Sequence, residues 1–124
     1  MTAAVDIACG SSAAHVCRAG DVLVFTVNAA VASGYLGAFA ERLDDPEHDR
    51  IWYFSEPMKE PPLVQAGLGT VVVPQGIRIG PEHRPGWYRV TAWIASRPVD
   101  RSQVDSAGPD LIRSRSTLDF EITP

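Results

Sequence analysis

Apolar residues never run far in this chain before glycine, proline, asparagine or aspartate interrupts them. No stretch repeats its apolar residues at helical spacing over several turns. A chain so divided must satisfy its backbone groups by pairing short strands. Strands are expected over residues 5–8, 22–28, 35–42, 51–54, 70–73, 77–79, 88–96 and 111–122. Between the first two lies the turn Arg18-Ala19-Gly20-Asp21. Residues 35–42 and 51–54 form a hairpin closed by the acidic stretch Leu43-Asp44-Asp45-Pro46-Glu47-His48-Asp49. The stretch 55–69 carries Pro57, Pro61 and Pro62 and is excluded as a central strand. Pro74-Gln75-Gly76 separates the next two short strands.

Alternation assigns the faces. Leu23, Phe25 and Val27 share a core side, as do Tyr88, Val90, Ala92 and Ile94, and as do Leu118, Phe120 and Ile122. Trp87, Arg89, Thr91 and Trp93 point the other way. Arg84-Pro85-Gly86-Trp87 has the chemistry of a type II turn and leads straight into Tyr88. That resembles the tyrosine at sandwich corners, whose phenol bonds back to upstream backbone. Asp100 is placed to cap one helical turn through Val104. Seven or eight short strands at near-regular spacing define an all-β fold, an antiparallel β-sandwich of immunoglobulin-like type. With 124 residues, the chain has the length of a single domain, 1–124.

Cys9 and Cys17 are the only cysteines, and seven residues between them fit neither a redox nor a zinc motif. Small residues (Gly10, Ser11, Ser12, Ala13, Ala14) fill most of the gap, which favours a disulfide closing a loop between strand ends. The other reading is a pair of reduced, buried thiols in a cytosolic protein. A disulfide implies an oxidising compartment, periplasmic or extracellular. The first residues carry no basic or apolar leader, so an exported chain requires a leader or anchor upstream of them. No apolar run is long enough to cross a bilayer, leaving a missing upstream anchor as the membrane link. The net charge of −4 argues against nucleic acid as a partner.

Few residues invite chemistry. His15, His48 and His83 all fall in expected loops, and no nucleophile elbow or phosphate-binding glycine loop is present. The histidines have no zinc spacing. Clustered carboxylates over residues 44–49 could hold calcium, but their spacing is that of a solvated turn. The expectation is a non-enzyme with no metal and no cofactor.

The aromatic residues are the strongest binding candidates. Trp87, Arg89 and Trp93 share one strand face, with Trp52 in a neighbouring cluster beside Tyr53 and Phe54. Left open, that face is a platform for a sugar ring or a partner protein. The competing expectation, which the sequence favours, is that the chain after Pro98, or the loop from Pro57 to Leu63, covers it as a second core.

Several stretches resemble bacterial accessory modules grouped as domains of unknown function, of the DUF4384-like type. They are Cys17-Arg18-Ala19-Gly20-Asp21 with the strand after it, Gly34-Tyr35-Leu36, Ile51-Trp52-Tyr53-Phe54, Pro61-Pro62-Leu63, Ile79-Gly80-Pro81-Glu82-His83 and Pro85-Gly86-Trp87-Tyr88-Arg89-Val90. The resemblance spans roughly residues 17–100 and implies a β-sandwich in the extracytoplasmic part of a larger bacterial protein, such as an anti-sigma-factor-like membrane protein. It implies no catalytic residue. The expected role is therefore an exported accessory or sensory domain acting through protein–protein contacts, as a monomer or weak edge-paired dimer. The alternative is a carbohydrate-binding module that uses the tryptophan face.

Overall fold

Strand alternation sorts the apolar residues into two facing sheets in the computed structural model, which describes residues 4–9, 15–28, 33–44, 50–54, 61–65 and 69–124. Ten strands occur among these residues: β1 (Ala4–Cys9), β2 (Val16–Arg18), β3 (Val22–Asn28), β4 (Gly34–Arg42), β5 (Ile51–Tyr53), β6 (Leu63–Val64), β7 (Thr70–Val72), β8 (Ile77–Arg78), β9 (Gly86–Ala95) and β10 (Ile112–Thr123). One sheet runs β1-β3-β7, with β8 also on β3; the other runs β2-β10-β9-β4-β5, with β6 also on β4. The fold is a two-sheet, antiparallel-dominated all-β sandwich, as expected. Among the described residues, β2 supplies the one parallel pairing, against β10.

Leu23, Phe25 and Val27 on β3 meet Leu36, Ala38, Val90, Ala92, Ile94, Phe120 and Ile122 across the interior, all of them buried. β7 and β8 are successive pieces of one strand against β3, divided at residues 73–76. The β4–β5 hairpin pairs Ala38 with Tyr53 and Ala40 with Ile51. Two edge strands, β2 and β6, exceed the expected number. They have three and two residues, too few for alternation to register. The carboxylate turn from Asp45 to Asp49, including His48, lies outside the described residues, as does Pro57.

Cys9 and Cys17 form a disulfide, with Cα atoms 5.3 Å apart. Cys17 sits within β2 opposite Ile122 of β10, while Cys9 pairs with Leu23 of β3. The bridge therefore ties one sheet to the other at the sandwich margin.

Candidate functional site

The outer face of the larger sheet holds all the tryptophans, yet it is divided in two. Across β4, β9 and β10, Gly37, Trp93 and Arg115 make one transverse row, and Glu41, Arg89 and Asp119 make another. The segment 97–111 crosses the first row. Val99, Val104 and Leu111 from that segment pack on Trp93, Phe39 and Ile112 as a second apolar cluster. Arg115 Nη2 donates to the Val104 carbonyl at 2.8 Å, and Ser96 N–H donates to the Leu111 carbonyl at 2.9 Å. Trp93 is only 2% exposed. Its indole is core, which corrects its place among the binding candidates: an apolar ring beside a side-chain-free glycine recruits a cover.

Trp52 belongs to the same layer, half-buried, with its ring 5.2 Å from Phe39. Trp87 is separate and 50% exposed. Around it, Val16, Glu121, Trp87 and Leu43 form a transverse row from β2 to the end of β4, since Val16 pairs with Glu121, Glu121 with Trp87, and Leu43 N–H donates to the Trp87 carbonyl at 3.0 Å. Val16 and Leu43 are exposed as well. Arg89 flanks this row and is paired with Asp119 at 2.9 Å. The four candidates thus split: Trp87 and Arg89 on open surface, Trp93 and Trp52 in the covered layer.

A polar knot closes the end of the sandwich beneath β5. Tyr53 Oη lies 2.6 Å from His83 Nε2, both groups buried, and their rings stack 5.8 Å apart. His83 Nδ1 faces Glu82 at 3.3 Å and the Gly80 N–H at 3.4 Å. Burial lowers the His83 pKa against the opposing pull of Glu82, and burial raises that of Tyr53. The neutral imidazole is a structural hydrogen-bond partner, and the phenol is too enclosed to meet a substrate. Sequence reading placed His83 in a loop correctly, but nothing local told that the loop turns inward.

Next to the knot, the Tyr88 hydroxyl donates to the Arg84 carbonyl at 2.7 Å. This is the expected corner bond. Arg42 reinforces it, donating to the carbonyls of Arg84 at 3.2 Å and Pro85 at 3.1 Å while paired with Asp44. Gly86 has φ +142, and a Cβ there would sit 2.7 Å from Arg42 Nη2. The backbone angle requires glycine, while the contact is with the movable end of the Arg42 side chain.

A groove of about 470 Å³ opens beside this corner, lined by Arg50, Ile51, Trp52, Pro81, Glu82, Arg84 and Arg101. Among the described residues, no three His, Cys, Asp or Glu side chains are grouped to hold a metal ion, and no helix is long and apolar enough to cross a membrane. No protein-family model, curated protein or solved structure matches the chain.

Proposed function

We propose that this domain is a non-catalytic, exported accessory module that binds a partner protein through the open half of its larger sheet. The Val16–Trp87–Leu43 row carries this reading. Exposed apolar side chains are common singly, but three of the five large exposed ones among the described residues gather on one row of one face. A tryptophan at the centre of such a row, flanked by the Arg89–Asp119 pair, has the make-up of an interface anchor within a polar rim.

Export is supported by the inter-sheet disulfide, a feature of oxidising compartments. The resemblance to extracytoplasmic accessory modules points the same way. The immunoglobulin-like reading is supported by strand order. β1-β3-β7 corresponds to A-B-E, and β2-β10-β9-β4-β5 to A′-G-F-C-C′, with Tyr88 at the corner position of F. The disulfide departs from the pattern of antibody domains, which link B to F. The carbohydrate-binding reading ranks second, because burial of Trp93 leaves Trp87 without a coplanar companion.

A photo-crosslinking side chain at position 87, introduced in the native host, tests the reading. One discrete protein adduct from position 87, absent from the still more exposed position 72 on the opposite sheet, is the expected result. Adducts that are absent, or alike from both positions, would overturn it.

A further inference from the structure

We propose that the groove beside β5 binds a ligand bearing a single carboxylate next to an apolar body, a function separate from the Trp87 face. Three cations converge on it from distant parts of the chain: Arg50 before β5, Arg84 before β9 and Arg101 in the short 3-10 turn Arg101–Gln103. Their situations differ. Arg50 is already neutralised, bound through Nη1 and Nη2 to Asp105 at 3.0 and 3.1 Å, with Glu41 at 3.5 Å, and it lies 4.1 Å over the Phe39 ring. Arg84 and Arg101 form no ion pair with a carboxylate among the described residues; Arg84 acts only at longer range on Asp44, whose own ion pair is with Arg42.

Arg101 is nonetheless held. Its guanidinium carbon lies 5.5 Å over the Trp52 ring, a cation–π contact that engages the face of the group. The N–H donors lie in the guanidinium plane, so stacking leaves them for a ligand and reduces the entropy lost on binding. An acidic chain of net charge −4 thus places in one concavity two guanidiniums that form no ion pair among the described residues.

Size and sign narrow the ligand. The groove falls within the range of small-molecule sites, roughly 300–1,000 Å³. Glu82 lies in the lining beside the two arginines, and Asp105 and Glu41 are held by Arg50 at its side. A polyanion laid across the groove meets the like charge of Glu82, whereas a single carboxylate need meet only the arginines. Ile51, Trp52 and Pro81 supply an apolar wall for the remainder of the ligand. A peptide C-terminus and a uronic sugar both present this chemistry.

The test is nuclear magnetic resonance titration of the full, isotope-labelled chain with N-acetyl-leucine and with N-acetyl-leucine amide. Saturable shifts of the Trp52 indole N–H with the acid, and none with the amide, are expected. Because each guanidinium supplies a hydrogen bond to a charged group, Arg84→Gln and Arg101→Gln should each weaken binding by about tenfold or more. Both side chains are exposed, so the variants should retain the wild-type amide spectrum. Two further probes, acetyl-Ala-Ala-Leu and glucuronate, assign the source: the tighter binder identifies peptide or sugar. Equal shifts with acid and amide, shifts that survive the double variant, or no saturation in the millimolar range would each overturn the proposal. None of these outcomes involves Trp87, so they leave the partner-binding reading to its own test.

Discussion

At the scale of single residues, the Tyr53–His83 pair couples the fold to pH. His83 is buried and neutral, faced by the Tyr53 hydroxyl, the Tyr88 ring, the Glu82 carboxylate and the Gly80 N–H. Its pKa is lowered in the fold, chiefly by burial. The unfolded chain therefore takes up this proton first, at about pH 6.5 as the pH falls. The contribution is complete above that value and is lost progressively below it, toward the depressed folded pKa. The melting temperature of the native chain should thus fall between about pH 7 and pH 5 by more than that of His83→Gln. Glutamine retains a partner for Tyr53 but does not titrate. Thermal melts across that range decide the matter, and parallel declines would show that other groups govern the response.

At the scale of elements, β9 joins both apolar clusters. Its even-numbered residues Tyr88, Val90, Ala92 and Ile94 enter the central core, while Trp93 enters the outer one. Alternation predicted both directions correctly. What it could not tell was that the outward side of β9 changes character along its length, open at Trp87 and covered at Trp93. The cover depends on Gly37, whose missing side chain makes room for the Trp93 ring: a Cβ there would strike the indole directly. Gly37→Ala should therefore cost about 1–3 kcal/mol by overpacking, read as a lower urea midpoint. A red shift in tryptophan emission should accompany it as segment 97–111 lifts. An unchanged midpoint would mean that the indole has room to move aside.

At the scale of the whole molecule, two sheets share one core, and the Cys9–Cys17 bridge joins their margins. The loop it closes is short, with a sequence separation of 8. In the chain-entropy account its removal costs roughly 2.5–3 kcal/mol. Denaturant unfolding of a Cys9→Ser/Cys17→Ser double variant should show that loss, and native oxidised protein should contain no reactive thiol. Two titratable thiols in protein purified without reductant would remove the main support for export.

Much of this molecule is local information. The inward set Leu23, Phe25 and Val27, the break at residues 74–76, the proline–glycine corner before Tyr88 and the turn begun by Asp100 follow from neighbours a few positions apart, since a period of two and the chemistry of a turn are properties of short segments. The sequence alone therefore determined the sandwich class, its core faces and the pairing of its only two cysteines as a reasoned choice. Only the tertiary structure decided that Trp93 lies under a cover, that His83 meets Tyr53 across 30 positions, that the disulfide spans both sheets, and that Arg50, Arg84 and Arg101 share a groove. These depend on distances through space between remote segments, and alternation says which face a side chain takes but not what will lie against it.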